Sequence, residues 1–234
     1  MLSLETLKLA QGDFRLSADL TVQKGAKTAV MGPSGAGKST LLAALAGFLP
    51  LGSGRLIWDG QDISAALPGA RPIAMLFQDG NLFPHLNVAQ NVGLGLRPAL
   101  KLTQRETQQV EAALDRVGLG TLGQRRPAEL SGGQQSRAAL ARVLVQARPL
   151  ILLDEPFAAL GPALKSEMLD LVAGLADETH ATLLMVSHDP GDARRITDSV
   201  IVVADGVATA PRPTAQVLDD PTGALRAYLG APER

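Results

Sequence analysis

Apolar and polar positions change their period several times along this chain. Residues 2–9 alternate between the two, and 16–22 continues as a second apolar segment, so the chain opens on a pair of antiparallel strands. Residues 27–31 form a short apolar strand that runs into a glycine-rich loop, and 37–49 follows with the pattern of a helix. Two more short strands, 55–58 and 73–77, are bounded by glycine and proline.

From about residue 87 to 130 the strand pattern disappears. Long polar-apolar helical stretches replace it, clearest at 103–117, with Pro84, Pro98 and Pro127 as punctuation. After Ser131 strands and helices alternate again. Residues 150–153 are a bare apolar run, as expected of a strand covered on both faces. In the following helix Leu164, Met168, Leu171, Val172 and Leu175 fall at i, i+4, i+7, i+8 and i+11, which predicts one buried face. Residues 181–186 and 199–203 read as further core strands, and Asp205-Gly206 as a turn. The tail from Pro211 is proline-rich and then weakly helical. Alternation of this kind predicts an α/β domain with a mostly parallel sheet between helices. The expected organisation is one domain over 1–234, with a core from 1–86 and 131–234 and a helical insertion at 87–130.

Composition narrows the chemistry. The chain has 234 residues, 46% of them hydrophobic, enough for one large domain with a sizeable core. With 22 basic against 23 acidic residues the net charge is −1, which argues against a nucleic-acid or anionic-membrane binder. No cysteine is present, so disulfides, thiolate zinc sites and a cysteine nucleophile are excluded. Residues 1–5 carry no basic, apolar leader pattern, and no window approaches the roughly 20 apolar residues of a membrane span. A cytoplasmic protein is expected, with any membrane role coming through a partner.

Gly32-Pro33-Ser34-Gly35-Ala36-Gly37-Lys38-Ser39 fits G-x-x-x-x-G-K-[ST] between a strand and a helix, with Thr40 continuing the segment. Such a loop wraps backbone N–H groups around phosphates, and the helix dipole behind it favours the same anions. Lys38 is then placed for the β- and γ-phosphates, and Ser39 for Mg²⁺. A glycine-rich turn with an incidental lysine is the bland alternative, and the strand-loop-helix context argues against it. The strand at 150–153 ends in Asp154-Glu155. Two carboxylates at the end of a buried parallel strand sit where open α/β sheets bind ligands. Asp154 is the expected Mg²⁺ partner and Glu155 the expected base for an attacking water. An acidic pair capping the next helix would be the default reading without the phosphate loop.

Leu130-Ser131-Gly132-Gly133-Gln134 opens a helix with Ser131 as its N-cap. The string resembles the LSGGQ signature of ABC transporter ATPases. The resemblance covers about 16–206 and implies a P-loop NTPase (RecA-like) core. It also implies ATP and Mg²⁺ as cofactors, and a homodimer in which 131–134 of one copy contact ATP held by the other. Gln78 matches the family glutamine that reaches Mg²⁺ and the attacking water. His188 matches the histidine that contacts the γ-phosphate; by itself it would read as a surface or capping residue. His85 and His180 carry no such match and are expected to be structural or solvent-facing.

The segment from Leu82 to Leu96 resembles the bacterial importer branch and, by looser matches at 47–49, 92–102, 157–168 and 183–188, its thiamine importers. Transmembrane permease subunits, an indirectly coupled periplasmic solute-binding protein and a place on the cytoplasmic face of the inner membrane follow from that resemblance. An importer for another small solute or ion, or a non-transport ATPase of this family, is the alternative. Nucleic-acid partners are not expected, because 79–130 is too short for a long coiled coil. A P-loop kinase would leave 130–134 unexplained, and intact Lys38, Glu155 and His188 disfavour an inactive subunit.

Three positions depart from the family pattern. Gly161 stands where the family has an aspartate that bonds across the dimer. No Tyr or Trp precedes the phosphate loop to stack on adenine, and Phe14, the nearby aromatic, reads as a core residue. Ser136 replaces a frequent glutamine.

Overall fold

A computed structural model describes residues 1–77, 80–158 and 160–229. Strands β1 (Leu2–Gln11) and β2 (Phe14–Val22) pair antiparallel, and β4 (Ser53–Trp58) extends the same antiparallel portion on the other side of β1. The register slips in β1 between Leu4 and Leu7, where Thr6 takes a φ of 43°. This bulge explains a broken alternation: Leu2, Leu4, Leu7 and Leu9 are all buried although the middle pair is three residues apart.

The parallel portion is built from β3 (Lys27–Met31), β6 (Ile73–Leu76), β7 (Leu150–Asp154), β8 (Thr182–Val186) and β9 (Ser199–Ala204). Its spatial order is β9-β3-β8-β7-β6, so β8, late in the chain, lies between β3 and β7. A short β5 (Gln61–Asp62) edges β4, and β10 (Val207–Ala208) joins the two portions, antiparallel to β9 and parallel to β2. The expected turn at Asp205-Gly206 lies between β9 and β10, both residues having positive φ, 50° and 74°, as a two-residue hairpin turn requires.

Helices cover both faces because the parallel strands are apolar on both. Leu150 and Leu152 of β7 face the core made with α1 (Lys38–Ala46), which buries Leu41, Leu42 and Leu45. Ile151 and Leu153 face the opposite core, made with α4 (Gly132–Leu144) and α5 (Pro162–Thr179). Each fully buried leucine or isoleucine contributes about 1.5–3 kcal/mol. In α5 the sheet-facing row is Met168, Leu169, Val172, Leu175 and Ala176. Leu164 and Leu171, expected in that row, are only half-buried; Leu164 instead meets the start of α4 at Gly133.

Helix α1 stops at Ala46, short of the expected 49, because Gly47 turns left-handed at φ 87°. Arg71, 2% exposed, seals that end by donating to the Ala44 and Leu45 carbonyls. The helical region contributes α2 (Val88–Gly93) and α3 (Gln104–Arg116), and α4 packs against both. The buried face of α4 includes Ala138, Ala139 and Ala141, small enough for close helix approach. Helix α6 (Pro190–Ile196), β11 (Arg212–Pro213), α7 (Thr214–Asp219) and α8 (Gly223–Leu229) complete the fold around Ala29, Met31 and Val200.

Candidate nucleotide site

The loop between β3 and α1 depends on glycine at two points. Gly32 has a φ of 151°, and a Cβ there would fall 2.0 Å from the Val203 carbonyl oxygen of β9. Gly37 has a φ of 99°, and a Cβ there would fall 2.2 Å from the ring of Phe14. Phe14 thus packs partly into the core, as expected from the sequence, and also stands against the phosphate loop. Gly37 is the N-cap of α1 and offers no side-chain cap, so the first-turn N–H groups are left for another acceptor. Ser34, Gly35 and Ser39 are exposed along the same loop.

Lys38 folds back over this loop. Its Nζ donates to the carbonyl oxygens of Gly32 at 2.9 Å and Pro33 at 2.8 Å. Burial pushes its pKa down, opposed by the carboxylates of Glu155 and Asp154. The Ser39 hydroxyl donates to Asp154 Oδ1 at 2.9 Å. Burial raises the Asp154 pKa, and the Ser39 hydrogen bond opposes that. A hydroxyl and a carboxylate already in contact form the oxygen donor set that suits Mg²⁺, so these residues fit that ion. Among the described residues no cluster of three or more His, Asp or Glu forms a separate metal site.

Glu155 follows at the same strand end. Its φ is 45°, an uncommon value for a residue with a Cβ, and its N–H donates to the Val186 carbonyl at 3.2 Å. That bond ties the turn after β7 to the end of β8. His188, two residues beyond β8, places Nδ1 3.5 Å from Glu155 Oε2, with half its side chain exposed. The interposed position of β8 is what brings His188 beside Glu155.

The structure therefore gathers Lys38, Ser39, Asp154, Glu155 and His188. Residues 131–134 stand apart: Ser131 caps α4 by accepting from Gln134 N, and the Gln134 side chain returns to Ser131 N. A Cβ at Gly133 would meet Leu164 at 2.3 Å, whereas Gly132 has open space around it. Ser136, one turn on, donates back to the Gly132 carbonyl. Gln78 lies outside the described residues. His85 and His180 are exposed, as expected; His180 ends α5 in a left-handed conformation.

Sequence reasoning missed three cations. Arg71 holds the far end of α1. Arg142 of α4 donates to the Gly80 and Asn81 carbonyls, holding the segment after β6. Lys165 of α5 pairs with Asp189 and Asp192, on either side of the turn that follows His188. Only Lys165 left a trace in the sequence, as a cation on a helix face otherwise rich in apolar residues.

A P-loop NTPase fold with a phosphate loop, a carboxylate pair and a capped Ser-Gly-Gly-Gln helix start belongs to a defined class, and the chain is a member of the ABC transporter family, whose profile matches residues 16–158. Among curated proteins it is 63% identical to the thiamine import ATP-binding protein ThiQ of Ruegeria sp. (strain TM1040), over 99% of this chain and 100% of that one. It is 59% identical to the protein of the same name from Cereibacter sphaeroides, covering 98% and 100%. Among solved structures it resembles cbiO1 from Clostridium perfringens, part of the ABC transporter complex cbiONQ. The TM-score is 0.82 at 31% identity, covering 94% of this chain and 90% of that one. It also resembles the dimeric ATP-binding cassette MJ0796 in a post-hydrolysis state bound to ADP and phosphate. There the TM-score is 0.79 at 27% identity, covering 92% and 99%.

Proposed function

We propose that this chain binds and hydrolyses ATP as the motor subunit of a bacterial thiamine importer. The observation that carries the reading is the convergence at three strand ends: Lys38 and Ser39 after β3, Asp154 and Glu155 after β7, and His188 after β8. The phosphate loop and the open start of α1 bind the phosphates, with Lys38 leaving its carbonyl partners for the β- and γ-phosphates. Ser39 and Asp154, with Gln78 as a further ligand, would hold Mg²⁺, which would neutralise charge on the phosphate oxygens. Glu155 accepts the proton of the attacking water as its oxygen bonds to the γ-phosphorus and the bond to the β–γ bridging oxygen breaks. His188, beside Glu155, orients the γ-phosphate.

Two copies supply a complete site. The hydrogen bonds of 131–134 stay within the start of α4, so the open N–H groups of Gly132 and Gly133 are free to meet ATP held by a second copy. ATP binding then favours the closed pair, and hydrolysis removes the bridging phosphate. No helix among the described residues is long and apolar enough to cross a membrane. The chain sits on the cytoplasmic face of the inner membrane, transmembrane permease subunits provide the path, and a periplasmic solute-binding protein delivers thiamine. The helical region, expected at 87–130, forms part of the groove that receives the permease.

Glu155→Gln is expected to keep ATP binding while slowing turnover about 10²–10⁴-fold, and Lys38→Ala to weaken binding itself. Turnover of Glu155→Gln within a few-fold of the unaltered chain removes Glu155 from the role of base. For the solute, deletion of the gene in a thiamine-requiring strain should abolish growth at low external thiamine. Normal uptake of labelled thiamine by that strain leaves the ATPase reading intact and retires the solute.

A further inference from the structure

We propose that Lys165 is a positioning residue for His188, fixing the histidine's backbone from the first turn of α5; this rests on the reading that His188 acts in hydrolysis. Lys165 Nζ lies 2.7 Å from Asp189 Oδ2 and 2.7 Å from Asp192 Oδ1, with its side chain 17% exposed. The same two aspartates are tied to the residue on the other side of His188. The Ser187 hydroxyl donates to Asp192 Oδ2 at 2.6 Å and accepts from Asp189 N at 3.1 Å. Ser187 and Asp192 are both buried. His188 is therefore bracketed by two residues of one charged network, and its own carbonyl accepts from the Tyr228 hydroxyl of α8 at 3.2 Å. Its imidazole remains half-exposed and is directed at Glu155.

Lys165 is a single cation between two carboxylates, one at the N-cap and one in the first turn of α6, the helix that follows His188. Burial alone would lower its pKa, but the bonds to Asp189 and Asp192 outweigh that and hold the ammonium above its usual value. Asp189 is correspondingly held below the usual carboxylate range, first by its bond from Lys165. The anchor is also mechanically linked to the other half of the site. Lys165 stands in the first turn of α5, the helix that follows Glu155, so its side-chain bonds join that helix to α6. The lysine thus couples the segment after Glu155 to the segment carrying His188. A displacement of either by about 1 Å is enough to cost about 10²-fold in rate.

The test is a double-mutant cycle read by steady-state ATP turnover, by affinity for a non-hydrolysable ATP analogue and by thermal melting. Lys165→Met is expected to lower turnover by about 10²-fold at unchanged analogue affinity, and Lys165→Arg to restore most of it. In a His188→Ala background, Lys165→Met should cause no further loss, because both act through one group. Normal turnover in a folded Lys165→Met, or losses that multiply in the double variant, overturns the proposal. If His188→Ala itself turns over normally, it is the role of His188 that fails, and the two failures are thereby distinguished. Should Lys165→Met not fold, Asp189→Asn serves in its place, since asparagine keeps the cap on α6 while removing the charge. It should lower turnover in the same direction, and normal turnover in that folded variant also overturns the proposal.

Discussion

Two long helices of the nucleotide core, α1 and α5, begin in the opposite way from those of the helical region. In the helical region α2 and α3, together with α4 packed against them, each open on a complete capping box: Asn87 with Gln90, Thr103 with Glu106, and Ser131 with Gln134. In the core, α1 and α5 open on Gly37 and Gly161, which provide no side-chain cap. The difference follows from what holds each helix. Helix α3 buries only Val110, Ala113 and Leu114, so its ends must be satisfied locally. Helix α1 buries six of its nine residues and its far end is sealed by Arg71, so its start can remain open for a ligand. Helix α4 combines both habits. Its box satisfies the N–H of Gln134 and leaves those of Gly132 and Gly133 free.

The largest effect expected from this contrast is in the core. Leu45→Ala, at a side chain with no exposure, should cost about 2–5 kcal/mol in urea unfolding, because α1 rests on burial. A cost below that of a lost cap would break the comparison.

Thr103→Ala should cost less, about 0.5–2 kcal/mol, by removing the cap of α3. The same box is sensitive to acid. Hydrogen bonds from the Thr103 backbone, then Arg97 and the Thr103 hydroxyl, hold Glu106 at about 2 against an ordinary 4.5. A depressed carboxylate stabilises the fold fully above its unfolded pKa and loses that contribution as pH falls through the folded one. Thermal melts of the unaltered chain should therefore lose this contribution between pH 4.5 and about 2, and Glu106→Gln should show a flatter decline there. Parallel curves for the two would remove Glu106 from the box energetically.

Gly161→Asp should have the smallest effect on the fold. Its φ of −65° and ψ of 156° suit an N-cap, and a Cβ there meets nothing, so the aspartate should stabilise α5 by only about a few tenths of a kcal/mol. The sharper readout is association. Sedimentation of the Glu155→Gln chain with ATP should show tighter pairing when Gly161→Asp is added. Equal pairing would mean that the glycine in place of the family's aspartate has no energetic consequence.

Much of this molecule was legible in its residues. The strands at 27–31 and, to within one residue, 73–77, the helix after Thr103 and the cap at Ser131 all follow from local period and capping chemistry, which act over a few residues. The shift in β1 was not legible: residues 2–9 read as a simple alternation, which the bulge between Leu4 and Leu7 breaks. The boundaries that slipped have local causes too, such as the left-handed Gly47 that ends α1. The phosphate loop was recognisable because its chemistry is contained in eight consecutive residues.

What the sequence alone determined, then, is everything set by near neighbours: element type, caps, turns and the residues able to hold phosphate. Tertiary structure alone decided which strand ends meet. No local pattern states that β8 is inserted between β3 and β7, and yet that order places His188 beside Glu155 and Ser39 within reach of Asp154. It also decided the partners of Arg71, Arg142 and Lys165, because a long cationic side chain finds its carbonyl or carboxylate only after distant segments pack. Phe14 against Gly37 is the same case, a contact between residues that period assigns to separate elements. Such contacts are fixed by the packing of the whole sheet, and the chain carries no short-range signal for them.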